Sequence, residues 1–297
     1  MNEVDIRFQV PEAARKTARK PASGEVLARG VVTTCLDRVL RHGGVVAAGS
    51  DDPEAVHQLR VGLRRLRTAL RELAPLDADL DPDWEGPLAV AFRELGRHRD
   101  QTLLETGTGK ALAKAGAPRL APPVATTAAL SPAAIVMSHA LQHTLLALRS
   151  YTLTPPASLA TAFDGDAIDA IATRLDQLQR RLRKNAKRFT AMSADEQHAV
   201  RKRLKRLRYL SEFIAPAFRD KPVSRFLDRL EPAQDALGAH NDEASALAHF
   251  EALTADDPRA WFAVGWLTAR RPRSAKKAAD ALRTAGRAEP FWHGKRR

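Results

Sequence analysis

Two segments of the chain, 57–73 and 198–214, repeat one pattern of basic and apolar residues. The first reads HQLRVGLRRLRTALREL and the second reads HAVRKRLKRLRYLSEFI. On a helix that turns about 100° per residue, the first segment places its leucines on one stripe. Its basic side chains fall on a separate stripe, which consists of His57, Arg60, Arg64, Arg67 and Arg71. The pattern therefore predicts two amphipathic helices around which the rest of the chain must fold.

The second segment keeps the basic stripe in register with the first, at an offset of 141 positions from His57 to His198. The matched basic residues that follow His198 are Arg201, Lys205, Arg206 and Arg208. Like charges three or four positions apart repel by about 0.2–0.5 kcal/mol per pair and weaken a helix. An arrangement that lowers helix stability in two places indicates an anionic partner. The alternative is a solvated surface helix that happens to carry many charges.

The remaining pattern predicts an all-α fold. Apolar residues recur with helical spacing along most of the chain, and apart from the first residues no segment alternates like a β-strand. A length of 297 residues suits two domains, and an offset of 141 residues suits an internal duplication. We therefore expect two antiparallel four-helix bundles related by a pseudo-twofold axis. The predicted divisions are an N-terminal arm and linker (1–21), a first bundle (22–155), a second bundle (156–288) and a basic tail (289–297).

Glycine and proline residues give the expected helix boundaries. Gly43 and Gly44 should end the first helix, and Pro272 should interrupt the last one. The last residues, FWHGKRR at 291–297, are expected to be mobile, as chain ends commonly are. These boundaries rest on local sequence alone.

The charge balance favours a polyanionic partner. The chain has 48 Lys and Arg residues against 35 Asp and Glu residues, a formal net charge of +13. Nucleic acid, an anionic membrane and polyphosphate all fit that charge. The single cysteine, Cys35, cannot form an internal disulfide and is expected in the core, which suits a cytoplasmic protein. Neither a secretory signal nor an apolar stretch of about 18 residues is present, so no membrane span is expected.

A second pair of elements extends the repeat: LGRHRD at 95–100 and LGAHND at 237–242. Together with the basic segments, they make residues 22–288 resemble the conserved histidine α-helical domain, or CHAD domain. The resemblance implies a pair of helical bundles with a basic groove that binds inorganic polyphosphate. Proteins of this family are often found at polyphosphate granules or are fused to a triphosphatase domain of the CYTH type. The resemblance therefore implies a location at such granules.

Residues 3–11, EVDIRFQVP, look like the opening strand of that CYTH domain. The segment that precedes the helical region is far too short for the β-barrel of the triphosphatase. If the similarity is real, the arm is a vestige and the catalytic tunnel is absent. Chance alternation over a few residues is the alternative.

The basic stripes supply the candidate binding residues. Arginine forks at helical spacing can follow a line of phosphate oxygens. The expected principal contacts are Arg60, Arg64, Arg67, Arg201, Lys205 and Arg208, with Arg65, Arg71, Lys202 and Arg206 on the flanks. His57 and His198 lie near helix N-termini, where they could donate to phosphate, or alternatively cap or pack.

The sequence predicts neither an enzyme nor a metal or other cofactor. It lacks the nucleophile-elbow, P-loop and zinc-protease motifs. His98 and His240 with Asp100 and Asp242 could supply metal ligands, but the favoured interpretation is that these aspartates hold arginines of the basic helices. The leading hypothesis is a polyphosphate-binding module. The alternatives are a nucleic-acid-binding protein and, less favoured, a metal-dependent phosphohydrolase.

Overall fold

A computed structural model describes residues 24–50, 52–103, 108–118, 130–155 and 167–296, and the side chains of 99–103 lie outside that description. The described residues form α-helices joined by short 3₁₀ turns. The helices are α1 Gly24–Ala47, α2 Pro53–Leu73, α3 Glu85–Leu103, α4 Gly109–Lys114, α5 Pro132–Val136, α6 His139–Leu153, α7 Ala167–Arg188, α8 Ala194–Ile214, α9 Asp220–Leu253 and α10 Trp261–Gly286. The predicted basic helices are α2 and α8.

Side-chain caps fix where the two basic helices begin. The Asp52 carboxylate accepts a hydrogen bond from the Glu54 N–H at 2.9 Å, and a proline occupies the first turn of α2. At α8, the Ser193 hydroxyl accepts from the Glu196 N–H, and the Glu196 carboxylate accepts from the Ser193 N–H, which completes a capping box. Both histidines of the repeated pattern consequently lie close to a helix N-terminus.

One hydrophobic core orients α2 and α8. The apolar positions that these helices bury are Leu59, Leu63, Leu66, Leu70, Leu73, Val200, Leu204, Leu207, Leu210 and Ile214. Full burial of such a side chain contributes about 1.5–3 kcal/mol, so rotating either helix to bury its basic stripe would be very costly. The same cluster of buried residues includes side chains from Ala28 to Trp292, so both halves of the described chain share it.

A second, smaller core lies in the hairpin formed by the C-terminal part of α9 and the N-terminal part of α10. Leu247 and Phe250 of α9 pack there with Val264 and Leu267 of α10, and Leu112 of α4 covers them. This cluster is separate from the main core. This packing stabilises the hairpin. It thereby positions the side chains that the hairpin directs towards α8.

Two predicted helix boundaries are wrong. Helix α1 continues through Gly43 and Gly44 to Ala47, because Gly43 is buried against Leu59 and Val136 and packing outweighs the glycine penalty. Helix α10 likewise continues through Pro272, with buried residues on both sides of it. In both places tertiary packing overrides the local preference.

The expectation of a mobile tail is wrong for its first two residues, which are packed in the core. Phe291 and Trp292 are buried, and their rings make edge-to-face contacts with Phe226 at 5.6 and 4.9 Å between centroids. The Trp292 indole N–H also donates to Asp176 at 3.0 Å. Two consecutive aromatic residues bury enough area to hold the chain end, although they are too few to produce a periodic signal.

The all-α prediction is confirmed, and the described residues contain no β-strand. The arm at 1–21 lies outside the described residues, as does most of the connection around the predicted division at 155/156. The duplication and the two-bundle division stay predictions. Among the helices described, none combines the length and apolarity that a membrane crossing requires.

Candidate functional site

The basic stripes of α2 and α8 line one cleft of about 1040 Å³. Side chains from α3, α4 and the α9–α10 hairpin complete its walls. Among the described residues, its carboxylates are Asp242 and Glu243. Against these stand ten cationic side chains: Arg60, Arg64, Arg67, Arg71, Arg201, Lys202, Arg203, Lys205, Arg206 and Arg270. The cleft therefore carries a large excess of positive charge.

Phe92 of α3 supports three arginines of the α2 stripe. The guanidinium carbons of Arg60, Arg67 and Arg64 lie 4.4, 5.4 and 5.9 Å from the centre of its ring. Each such cation–π contact contributes about 0.5–1 kcal/mol at an exposed site. A single aromatic ring thus holds three positive charges together at the edge of the cleft.

Gly96 makes room for one of these guanidinium groups. Arg60 Nη1 donates to the Phe92 carbonyl oxygen at 2.6 Å, so the guanidinium lies directly on α3. A Cβ at Gly96 would be 2.5 Å from Arg60 Nη1. At the matched Gly238, an added Cβ would meet nothing within 4 Å. The glycine of the first LG element therefore has a steric role that the second one lacks.

Two further contacts fix the arginines of α2. Arg67 donates from Nε to Glu85 Oε1 at 2.7 Å, and Arg64 donates from Nε to the Tyr209 hydroxyl at 3.2 Å. The second bond joins α2 to α8 directly. Side chains held in this way lose less conformational entropy when a ligand binds.

The cations of the cleft are close enough to destabilise one another. Burial lowers the pKa of Arg71, and the positive charges of Arg67 and Arg206 lower it further, against the opposing effect of Glu85. Burial likewise lowers the pKa of Arg203. Crowded like charges of this kind are relieved by a bound anion.

Most of the predicted site residues line the cleft. Nine of the twelve do so: Arg60, Arg64, Arg67, Arg71, His198, Arg201, Lys202, Lys205 and Arg206. The remaining three are His57, Arg65 and Arg208. His57 is half-buried near the start of α2 and lies outside the cleft lining.

Arg65 is a structural residue in this fold, contrary to the expectation that it flanks the ligand. Its side chain is only 7% exposed and forms an ion pair with Glu212 of α8. The rings of Tyr209 and Phe213 lie 5.0 and 5.6 Å from its guanidinium carbon. Burial alone would lower the pKa of Arg65, but the Glu212 carboxylate more than offsets this, so the pKa is raised. Arg65 lies about 100° around the helix from Arg64, on the side that faces Glu212 of α8.

Arg206, the counterpart of Arg65 in the second segment, forms the reverse pair. Its Nε lies 2.9 Å from Glu72 Oε1 of α2. Each basic helix thus offers an arginine to a glutamate of the other, although Arg206 also reaches the cleft. Arg208 donates to Glu212 at 2.7 Å and to the Gln234 side chain at 2.9 Å, and it does not line the cleft. Arg208 was expected among the principal phosphate contacts, but the structure places it outside the cleft lining.

The second LG element positions a histidine of the cleft. Nδ1 of the exposed His198 donates to Asn241 Oδ1 at 2.7 Å. With that proton committed, Nε2 can donate to an anion only when the imidazole is protonated. The histidine of the element itself, His240, is buried between Gln197 and the Ser274 hydroxyl, each 2.8 Å away. Burial, followed by the positive charge of Arg271, lowers its pKa.

Of the two aspartates expected to hold the basic helices, Asp242 forms no ion pair with them in the described part of the chain. Glu85, Glu72 and Glu212 form such ion pairs instead. Asp242 lines the cleft, and the side chain of Asp100 lies outside the described residues. Within the described part of the chain, no three His, Cys, Asp or Glu residues are grouped as metal ligands would be.

Sequence reasoning missed the contribution of the α9–α10 hairpin. Arg270 lies over the Trp266 ring at 4.3 Å, and its Nε is 3.3 Å from Glu243 Oε1. Arg203 of α8 and Phe92 of α3 were missed as well. Arg203 aligns with Gly62 of the first segment. The second segment therefore carries an additional positive charge at this position of the repeat. Nothing local distinguishes Phe92 or Arg270 from ordinary helix residues.

Comparison with known proteins identifies the family. The family model described as "CHAD domain" matches residues 30–251. Among solved structures, the chain is similar to the crystal structure of the CHAD domain from the plant Ricinus communis, with 25% sequence identity and a TM-score of 0.73. That alignment covers 93% of this chain and 95% of that chain. Comparison with curated proteins gives no match. The resemblance inferred from the repeated motifs is confirmed, and the chain belongs to the CHAD domain family.

Proposed function

We propose that this protein binds inorganic polyphosphate in the basic cleft, and that it does so at polyphosphate granules. One observation carries the proposal: among the described residues, ten Arg and Lys side chains from three helices converge on a single cleft, against two carboxylates. Family membership and the predicted chemistry of the two basic stripes support the same ligand.

An extended anion fits this arrangement better than a single phosphate. The matched stripes run for about 20 Å along each helix at about 1.5 Å per residue. An exposed ion pair contributes at most about 1 kcal/mol, so useful affinity requires many contacts at once. A polymer with a negative charge at every repeat supplies them, and each guanidinium can form paired hydrogen bonds to it.

The aromatic residues of the cleft favour polyphosphate over single-stranded nucleic acid. Nucleic-acid binders stack bases on exposed rings, and each stacked base contributes about 1–3 kcal/mol. Here a guanidinium lies over Phe92 at 4.4 Å, over Trp266 at 4.3 Å and over Tyr209 at 5.0 Å. Rings covered in this way support arginines and are poor platforms for bases.

We further propose that the protein binds without hydrolysing. Phosphoryl transfer requires a metal ion held by carboxylates and a positioned water. The cleft carboxylate Glu243 is engaged by Arg270. Asp242 is the other carboxylate among the described residues of the cleft, and one unpaired carboxylate beside ten cations supports charge neutralisation over metal-dependent hydrolysis.

The proposal is tested by neutralising each wall separately. One variant carries Arg60→Gln, Arg64→Gln and Arg67→Gln. A second carries Arg201→Gln, Lys202→Gln and Lys205→Gln. The matched control carries three exposed changes on α9: Lys221→Gln, Arg225→Gln and Arg229→Gln. These control residues lie beside Asp220 and Asp228 in a shallow depression that shares no residue with the cleft.

Both wall variants should bind long-chain polyphosphate up to about 100-fold more weakly than the parent, since three contacts of up to about 1 kcal/mol each are lost. The control, which loses the same net charge, should bind like the parent. Calorimetric titration measures the affinities, and circular dichroism verifies that every variant is folded. Parental affinity in either wall variant would contradict a shared cleft.

A further inference from the structure

Helix α7 carries a basic stripe that is separate from those of α2 and α8. Arg174, Arg181, Lys184 and Arg188 are spaced by seven, three and four positions, which places them on one face of the helix. A separate face of the helix buries Leu175, Leu178 and Leu182 in the core. Arg181, Lys184 and Arg188 are exposed. We call these four basic residues the α7 stripe.

One end of the α7 stripe is joined to the cleft by a shared glutamate. Glu72 Oε2 accepts from Arg174 Nε at 2.8 Å, and Glu72 Oε1 lies 2.9 Å from Arg206 Nε. Arg206 lines the cleft, whereas Arg174 belongs to α7. The two cationic surfaces therefore meet at Glu72.

A second connection runs through Arg203 of α8, which also lines the cleft. The pKa of Arg203 is lowered first by burial, then by the positive charge of Arg181, and then by that of Arg206. Arg203 therefore lies close enough to a cation of the α7 stripe and to a cation of the cleft for both charges to act on it.

The middle of the α7 stripe lacks compensating charge. In the part of the chain that the structure describes, no carboxylate lies within 4.0 Å of Arg181 or Lys184. Ion pairs occur only at the two ends, between Arg174 and Glu72 and, at 3.4 Å, between Arg188 and Glu196. Uncompensated cations on an exposed helix face attract an anion that extends beyond the cleft.

We propose that a polyphosphate chain too long for the cleft continues across Arg203 onto the α7 stripe. This inference rests on the proposed function of the cleft. A short chain neutralises the cleft alone, whereas a long chain also contacts Arg181 and Lys184. The α7 stripe thereby makes the protein select for long polyphosphate.

The test compares two variants that each lose one arginine and one lysine. The stripe variant is Arg181→Gln with Lys184→Gln, and the control is Lys221→Gln with Arg225→Gln on α9. All four residues are exposed, so the two variants should fold like the parent. Affinities for tripolyphosphate and for long-chain polyphosphate are measured by calorimetric titration at several salt concentrations.

The stripe variant should bind long-chain polyphosphate about three- to tenfold more weakly than the control. Its plot of log affinity against log salt should be shallower by about 1.5, because two phosphate contacts are lost. Its affinity for tripolyphosphate should equal that of the control. Lys184→Gln alone should give an intermediate loss for the long chain.

Different results identify which statement is wrong. Equal binding of the long chain by the stripe variant and the control would overturn the path across α7 and leave the cleft proposal intact. An equal loss for tripolyphosphate and for the long chain would also overturn it, since Arg181 and Lys184 would then act within the cleft. Failure of the parent to bind either ligand would overturn the proposed function itself, and the α7 path with it.

Discussion

The buried pair between Arg65 and Glu212 gives the sharpest prediction about stability. The side chain of Arg65 is 7% exposed and that of Glu212 is 11% exposed, so each charge depends on the other for compensation. Removing one partner from such a pair costs about 3–5 kcal/mol, whereas replacing both by apolar residues is often neutral or stabilising. Each single variant should therefore be much less stable than the parent. The double variant should be far more stable than the sum of the two single losses would predict.

The two single variants should differ in size. Arg65→Met leaves Glu212 with its second partner, Arg208, at 2.7 Å. We therefore expect a loss near the lower limit, about 3 kcal/mol of the free energy of unfolding. Glu212→Leu leaves the Arg65 guanidinium buried against Tyr209, and the loss should approach about 5 kcal/mol. The double variant should lie within about 1 kcal/mol of the parent.

Urea denaturation of the four proteins measures these free energies, and calorimetric titration with long-chain polyphosphate measures their affinities. Arg65→Met should keep the parental affinity while it is folded. The neighbouring Arg64→Met is the matched control: Arg64 lines the cleft, so this variant should lose affinity and keep most of its stability. A stable Arg65→Met protein with impaired binding would refute the structural role of Arg65.

Gly96→Ala should weaken polyphosphate binding about fivefold, equivalent to one contact of about 1 kcal/mol, because the new Cβ displaces Arg60. Gly238→Ala should leave affinity unchanged and stabilise its helix by up to about 1 kcal/mol, as titration and urea denaturation would measure. Gly96→Ala should stabilise the protein less, because displacing Arg60 breaks its hydrogen bond to the Phe92 carbonyl. The free energy of unfolding should fall as the pH drops below the ordinary histidine pKa of 6.5, because the unfolded chain takes up a proton that buried His240 resists. His240→Gln should flatten this dependence in urea denaturation. Tripolyphosphate or long polyphosphate with magnesium or manganese should release no phosphate above background in a colorimetric assay.

Each of these predictions would be contradicted by a specific result. Equal loss of affinity in Gly96→Ala and Gly238→Ala would show that the fit around Arg60 is unimportant. A stability that does not change as the pH falls through the histidine range would contradict the neutral, buried state of His240. Phosphate release that is lost on changing His57, His98 or Asp100 would make the protein an enzyme.

Much of the fold could be predicted because its helices have strong, repeated signals. The Ser193–Glu196 capping box and the leucine stripe of α2 act within a few residues of the chain, so local sequence reports them directly. The C-terminal end of α1 and the packing of Trp292 could not be predicted. They depend on contacts with residues distant in sequence, such as the burial of Gly43 against Val136.

The part of the candidate site that comes from the two repeated segments could be predicted from sequence. The part that other helices contribute could not. Matching the basic stripes of α2 and α8 identified nine residues that line the cleft. Arg65 was misassigned because helical spacing alone does not tell which edge of a stripe faces the other helix. Phe92 and Arg270 come from elements without a repeated signal, so only tertiary structure places them beside the stripes.

The specificity of the cleft is tested most directly by competition at equal charge. A labelled long-chain polyphosphate is bound to the protein, and unlabelled polyphosphate or single-stranded DNA is added at the same concentration of phosphate groups. We expect unlabelled polyphosphate to displace the label at a much lower concentration than DNA does, because guanidinium groups cover the rings of Phe92 and Trp266. Displacement by DNA at an equal or lower concentration would contradict polyphosphate as the ligand and identify the cleft as a nucleic-acid site.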